Sequence, residues 1–244
     1  MSYIKLKGIV TGGSDIGDAD RMMTILTAEE GLIRASAKGV RRLKNKLAGA
    51  TQLFCYGEFI IYPGRDTYSI YNCDIIESFP DLSKSPEKFT YAVHLIKIAN
   101  DVIQEGQGAE DILNLLLNSL YVISKGDKNP LLVIRIFELR ILCLSGFAPS
   151  YACCGACGKT AESFSVSANG VVCKNCAQIL HDAIEMKAGT KAAMAHICSC
   201  EKSKLFSFDV SEAVQKDLNE FVPAYMTKCL EKKYDTLDFL ELIK

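Results

Sequence analysis

Apolar and polar positions along the chain fall into three regimes. Over residues 1–80, Ile4, Leu6 and Val10 alternate with polar or small residues, and the runs 21–27, 32–38, 53–62 and 68–78 are short and rich in β-branched and aromatic side chains. Turn chemistry separates them: Gly12-Gly13-Ser14-Asp15, Glu29-Glu30-Gly31 and Pro63-Gly64-Arg65-Asp66 each supply the backbone freedom or preset angle of a reversal. Five strands in about 80 residues predict a small β-barrel.

After Pro80 the period lengthens to that of a helix. Ser85-Pro86-Glu87 sets a capping hydroxyl before a proline at the first helical position, opening a helix with Phe89, Val93, Ile96 and Ile103. A second helix over 110–125 carries Ile112, Leu113, Leu116, Leu117, Leu120 and Ile123 at three-and-four spacing. Asn129-Pro130 opens a third with Leu131, Ile134, Phe137, Leu139 and Leu142, and Gly146 stands where a C-terminal cap glycine belongs. Further on, Asp209-Val210-Ser211-Glu212 resembles a capping box ahead of Ala213, Val214, Leu218 and Phe221, and Pro223 is expected to kink or split that segment. The expected architecture is α+β and multidomain: a barrel over 1–80, a helical domain over 81–150 and 178–244, and a cysteine-rich insert over 151–177.

Composition narrows the class. The 244 residues are 49% hydrophobic, enough for one large core or two modest ones. With 28 Lys+Arg against 29 Asp+Glu the net charge is -1, so a uniformly basic nucleic-acid binder is excluded and any polyanion site must be local. The amino terminus lacks the apolar core of a signal peptide, and no apolar run approaches the ~18 residues of a membrane span. The expected location is the cytoplasm, with no membrane partner.

Eleven cysteines in a reducing compartment argue for metal rather than disulfides. Cys154-Gly-Ala-Cys157 and Cys173-Lys-Asn-Cys176 are separated by fifteen residues, the pattern in which two tight knuckles face each other around a tetrahedral ion. Phe164, Val166, Val171 and Val172 supply a hairpin around Asn169-Gly170. Four thiolates leave no position for water, so one structural Zn2+ is expected, held by Cys154, Cys157, Cys173 and Cys176. Cys153 is a second choice for the first ligand, and idle thiols or a redox pair are the plain alternatives. Cys55, Cys73, Cys143 and Cys229 lie in apolar patterns and read as core, and Cys198 and Cys200 have the wrong spacing for a knuckle.

Residues 34–46 hold Arg34, Lys38, Arg41, Arg42, Lys44 and Lys46 and no acid. Six of the ten cations of residues 1–80 thus occupy thirteen positions at the end of the third strand and the following connection, on a rim beside the face where small barrels bind single strands. Lys5, Lys7 and Arg21 on neighbouring strands extend the path. A solvated basic loop is the bland alternative, and Tyr56, Phe59, Tyr62, Tyr68 and Tyr71 tilt the balance toward nucleic acid because some can stack on bases.

Motifs of catalysis are missing. The sequence has no Gly-x-x-x-x-Gly-Lys-[Ser/Thr], no His-Glu-x-x-His and no Gly-x-Ser-x-Gly, and His94, His181 and His196 have no nucleophile or carboxylate at a recognisable spacing. A non-enzymatic protein is expected; the rivals are a zinc hydrolase and a zinc-containing protein-interaction scaffold that binds no DNA.

Taken in order, Gly8-Ile9-Val10, Gly17-Asp18-Ala19-Asp20-Arg21, Leu26-Thr27, Gly31-Leu32, Lys38-Gly39-Val40-Arg41-Arg42 and Leu47-Ala48-Gly49 resemble the RecO family of bacterial recombination mediators. Phe137-Glu138-Leu139-Arg140 with Gly146 and Pro149, the two cysteine pairs, and Leu237 with Phe239-Leu240 extend the likeness nearly end to end. Ile16-Gly17-Asp18 departs mildly from the family's aromatic-Gly-Glu, and Leu43 replaces a common proline. The resemblance implies an oligonucleotide/oligosaccharide-binding (OB) barrel, a helical domain and a zinc finger. It further implies binding of single- and double-stranded DNA, annealing of complementary strands, and loading of RecA, with RecR, onto DNA coated by single-stranded-DNA-binding protein, in the bacterial cytoplasm at the nucleoid. The family's basic segment maps onto Lys38, Arg41 and Arg42, followed by Lys44 and Lys46. The acidic tail of the single-stranded-DNA-binding protein would be gripped by the helical domain, where Arg135 and Arg140 are the cations on offer.

Overall fold

The computed structural model describes residues 3–64, 67–103 and 106–242. By packing, the chain divides into two units, Met1–Ser124 and Lys125–Lys244. In the first, β1 (Ile4–Ile16), β2 (Asp20–Thr27), β3 (Gly31–Ala37), β4 (Tyr56–Pro63) and β5 (Tyr68–Glu77) form a closed barrel in the order β1-β2-β3-β5-β4. All neighbours are antiparallel except β3 and β5, which run parallel through Ala35 opposite Tyr68 and Ser36 opposite Ser69. This is the OB arrangement. Strict alternation sends Leu6, Met23, Ile25, Ile33, Phe59 and Ile61 into the core, which leaves Lys5, Lys7 and Arg34 pointing outward.

Two strand boundaries differ from the sequence pattern. Gly12-Gly13-Ser14-Asp15 is not a turn: β1 runs through it, and the chain reverses at Gly17, whose φ is +55°. The glycines serve a bulge instead, since the β1–β2 register shifts between Val10 and Gly12 and a Cβ at Gly13 would stand 3.2 Å from the Met22 carbonyl oxygen. The fourth strand starts at Tyr56, not 53, because Phe54 has φ of +69° and still belongs to the preceding connection. At Glu29-Glu30-Gly31 the turn forms as expected, with Thr27 Oγ1 donating to the Gly31 carbonyl. Of the third turn signal, Arg65 and Asp66 lie outside the described residues.

The helices α1 (Pro80–Lys84), α2 (Pro86–Val102) and α3 (Glu110–Lys125) follow the barrel. Ser85 caps α2 by accepting from the Lys88 amide, and Phe89 meets Phe54 edge-on at 5.7 Å between ring centres. Ahead of α3, the Gly106 and Ala109 amides donate to the carbonyls of Glu30 and Ala28, tying this segment to the β2–β3 turn.

In the second unit, α4 (Pro130–Leu144) is capped by Asn129 and is buried along nearly its whole circumference. The short strands β6 (Ser163–Ser165), β7 (Gly170–Val172) and β8 (Ala183–Glu185) form a sheet in the order β7-β6-β8, interrupted by α5 (Lys174–Leu180). The chain then continues through α6 (Ala188–Ser199), α7 (Glu212–Leu230) and α8 (Phe239–Leu242), and α4 packs on α6 and α7. Both ends of α6 are completed by other helices. Asp217 of α7 accepts from the Lys187 amide (2.8 Å) and Thr190 Oγ1 (2.6 Å), while Arg140 of α4 donates to the carbonyls of Ile197, Cys198 and Cys200.

At the start of α7 the cap is Ser211, which accepts from the Val214 amide, so Asp209 is not the capping-box residue and pairs with Lys128 instead. Nor does Pro223 split the helix: α7 continues to Leu230. Burial of Leu218, Phe221, Val222 and Tyr225 on either side of the proline outweighs the single amide donor it removes.

Closure of the barrel depends on two glycines facing each other across the β1–β4 ladder, Gly8 and Gly57. A Cβ at Gly8 would lie 2.7 Å from the Leu26 carbonyl oxygen, and one at Gly57 would lie 2.7 Å from that of Asp74. Gly57→Ala is therefore expected to cost about 2–3 kcal/mol in urea denaturation, as overpacking against backbone does. Gly12→Ala, whose Cβ would meet nothing nearer than 3.9 Å, is expected to cost less than about 1 kcal/mol in the same measurement.

Candidate metal centre and basic rim

The two Cys-x-x-Cys elements converge. Ligand atoms of Cys154, Cys157, Cys173 and Cys176 all lie within 4.8 Å of one another, and the sulfurs of Cys157 and Cys173 are 3.6 Å apart. A tetrahedral zinc with Zn–S bonds of ~2.3 Å separates its sulfurs by about 3.8 Å, so the spacing fits such an ion. The first knuckle is closed by the Gly158 amide donating to the Cys154 carbonyl and the Cys154 amide donating to that of Lys159, with Gly158 at φ +74°. The second is the start of α5, where Cys173 is the cap residue and Cys176 sits in the first turn. Between them, β6 and β7 pair around Asn169, which takes φ of +55°, and β8 adds a third strand that the sequence pattern did not reveal.

The donor chemistry agrees with the spacing. Burial opposes ionisation of Cys154, yet backbone hydrogen bonds around it outweigh that cost and bring its thiol down to about 6. Cys176 is pushed up to about 12, first by its hydrogen bond with Cys173. Crowded sulfurs that share protons in this way are those a divalent cation would hold as thiolates. Cys153 is exposed and stands outside the group. Of the remaining cysteines, Cys55 is buried in the barrel core, and Cys143 of α4 lies beside Cys198 of α6.

The basic residues lie on β3 and in the connection 38–55, which has no ladder of its own. Val40, Leu47 and Cys55 anchor this connection in the barrel core. The Asn45 side chain ties its middle together, donating to the Gly39 carbonyl and accepting from the Leu47 amide. With the apolar residues turned inward, Lys38, Arg41, Arg42, Lys44 and Lys46 are all exposed, as is Arg34 on β3.

Arg21 and Arg41 share one partner. Asp15, near the tip of the β1–β2 hairpin, accepts from Arg21 Nε at 2.8 Å and lies 3.3 Å from Arg41 Nε. The hydrogen bond from Arg21 holds the Asp15 carboxyl below the usual carboxylate range. Asp20 stitches the same hairpin to the connection by accepting from the Gly39 amide at 2.7 Å. Lys5 is paired with Glu58 at 3.1 Å, and together with Lys7 it lies on β1, with β2 between them and Arg34. Among the described residues, Lys7, Arg34, Lys38, Arg42, Lys44 and Lys46 have no acidic partner.

Asp15 is the member of this group that sequence reading missed, because the segment 12–15 reads as a turn. Arg135 and Arg140 are both engaged within the second unit: Arg135 is buried against Glu138 and Asn219, and Arg140 completes the end of α6. Neither is displayed as a surface cation.

An OB-type barrel with a tied cationic connection, a helical unit and an inserted four-cysteine centre define the class of protein. Residues 1–79 match the family model described as recombination protein O N terminal, and residues 83–238 that described as recombination protein O C terminal. The chain belongs to the recombination protein O family, as the sequence resemblance implied. It is 42% identical over 246 residues to a DNA repair protein RecO from Acetivibrio thermocellus, covering 100% of this chain and 98% of that one. It is 34% identical to a protein of the same name from Caldicellulosiruptor saccharolyticus, covering both chains fully, and 29% identical to one from Desulforamulus reducens. In addition, no helix of the described residues is long and apolar enough to cross a membrane.

Substituting one ligand tests the centre. Metal analysis of the purified protein should find one divalent ion per chain and Cys176→Ala should lose it. The variant should also melt roughly 5–10 °C lower, at ~3 °C for each kcal/mol in a chain of this size.

Proposed function

We propose that the protein is a DNA repair and recombination mediator of the bacterial cytoplasm, associated with the nucleoid, that binds single- and double-stranded DNA and anneals complementary strands. The observation that carries this reading is the set of unpaired cations, Lys38, Arg42, Lys44 and Lys46 with Arg34 beside them, fixed on an OB-type barrel. Arg41 and Arg21 stand in the same group but are half-neutralised by Asp15, and Lys5 and Lys7 extend the cationic surface along β1.

Annealing needs no covalent step. Cations hold the phosphate backbone and leave base edges free, so a second neutralised strand can approach and pair. Working with RecR, the protein would then help load RecA onto DNA coated by single-stranded-DNA-binding protein, whose C-terminal tail it would contact. The barrel over 1–80 supplies the DNA contact in this division of labour, and the helical domain over 81–150 and 178–244 supplies the partner surfaces. In the element over 151–177, Cys154, Cys157, Cys173 and Cys176 would hold one Zn2+ whose role is to fold the two knuckles together; a closed set of four thiolates has no place for substrate.

Fluorescence anisotropy with a labelled single strand tests the reading. The five unpaired cations on β3 and its connection, Arg34, Lys38, Arg42, Lys44 and Lys46, predict that the logarithm of affinity falls with the logarithm of salt at a slope of about -3.5. Reversing charge at Lys38, Arg41 and Arg42 together should flatten that slope and weaken annealing while leaving the protein folded. A slope near zero in the wild type would favour a zinc-containing scaffold that binds only proteins.

Asp15 makes a prediction in the opposite direction. Asp15→Asn removes the one negative charge shared by Arg21 and Arg41, so binding should tighten and the slope should steepen by about -0.7, to about -4.2.

A further inference from the structure

Three tyrosines from three different strand positions meet on the outer wall of the barrel. Tyr3 precedes β1, Tyr62 is on β4 and Tyr71 is on β5, and their ring centres lie 4.0 Å (Tyr3–Tyr62), 5.0 Å (Tyr3–Tyr71) and 6.0 Å (Tyr62–Tyr71) apart. The register explains the meeting. Ile4 pairs with Ile61, which brings Tyr3 alongside Tyr62, and the β4–β5 register shifts between Ile60 and Ile61, which leaves Tyr71 in the bulge and turned outward. Despite the contacts between rings, Tyr3 is 45% exposed and Tyr71 is 61% exposed. Core packing does not require these rings, since the barrel interior beneath them is filled by Ile61 and Ile70.

The cluster borders the cations. Tyr62 faces Ser69 across the β4–β5 ladder, Ser69 faces Ser36 across the β5–β3 pair, and the two serine hydroxyls are 3.2 Å apart. Arg34 lies two residues before Ser36 on β3 and points the same way, and Lys38, exposed, follows directly after the strand. At ~4.8 Å per strand, the aromatic cluster is about 10 Å from that cationic row, roughly the reach of two nucleotides. A hydrogen bond with Tyr62 raises the Tyr3 phenol above its ordinary value.

Resting on the DNA-binding reading, the geometry points to Tyr3 and Tyr71, backed by Tyr62, as a base-stacking platform for single-stranded DNA whose backbone runs over Arg34 and Lys38. Charge alone would hold any polyanion; exposed ring faces beside it add a demand for bases. The platform lies on the β1–β4–β5 side of the barrel and works by ring faces, so it adds affinity without reading sequence.

The test compares two strands of equal length and charge, an oligothymidylate and its abasic counterpart. The wild type should bind the thymidylate about ten-fold more tightly, and binding should quench the protein's own emission, which comes from its ten tyrosines because the chain has no tryptophan. Tyr3→Leu with Tyr71→Leu should abolish both the preference and most of the quenching while keeping the salt slope. The Tyr3→Phe, Tyr71→Phe pair should retain the preference, since rings rather than hydroxyls do the stacking. Equal binding of the two strands by the wild type, or a preference that survives the leucine pair, overturns the platform and leaves the cationic site standing. Failure of the wild type to bind either strand overturns the DNA-binding reading together with the platform.

Discussion

Burial of Val40 and Leu47 in the barrel core is the constraint on which the rest of the first unit depends. The connection 38–55 has no strand or helix to shape it, and a free chain of that length and charge would be mobile. Two apolar anchors seven residues apart pin it to the barrel, and the Asn45 side chain closes the loop between them. Once Val40 and Leu47 point inward, the intervening Arg42, Leu43, Lys44 and Lys46 are turned to solvent, and Arg41 is turned toward Asp15 on the neighbouring hairpin. The cationic rim is thus a consequence of hydrophobic burial, and Lys38, Arg42, Lys44 and Lys46 are displayed without ion pairs that would consume their charge.

What was legible in the sequence was what is local. Alternation of apolar residues revealed the strands, and Ser85-Pro86 and Asn129-Pro130 marked two helix starts to the residue. The cysteine knuckles were legible for the same reason, because each Cys-x-x-Cys is a single turn and the hairpin between the pairs is short. Sequence pattern and structure part where one residue type has two uses. Gly12 and Gly13 carry the signature of a turn, yet they relieve a bulge inside a long strand, a choice settled by the partner strand. Pro223 carries the signature of a helix break, yet burial on both sides of it keeps α7 whole.

Long-range polar contacts were illegible for a stricter reason. Asp217 completes the start of α6 from 30 residues away and Arg140 its end from 58 residues away, and neither carries a local mark of that role. In the sequence Arg140 resembled a surface cation; in the structure it satisfies carbonyls at a helix terminus, where a positive charge is favoured by the helix dipole. Arg135 likewise sits buried with Glu138 and Asn219, an arrangement in which removal of either charge would leave the other unpaired. The meeting of Tyr3, Tyr62 and Tyr71 also needs the strand register, including a bulge, that no periodicity announces.

The net charge of -1 acquires a physical meaning in this light. Acids are not spread evenly among the cations: Asp15 and Asp20 stand at the β1–β2 hairpin, one sharing Arg21 and Arg41, the other bonded to the Gly39 amide. Under the proposed function this placement limits grip as well as giving shape. A protein that brings two strands together must release them once paired, and every additional free cation raises affinity and its salt dependence together. By holding two guanidiniums on one carboxylate, the barrel takes one charge off a cationic path of seven. Contacts of that strength hold a strand long enough to meet its complement and yield when the duplex forms, which is the balance an annealing surface requires.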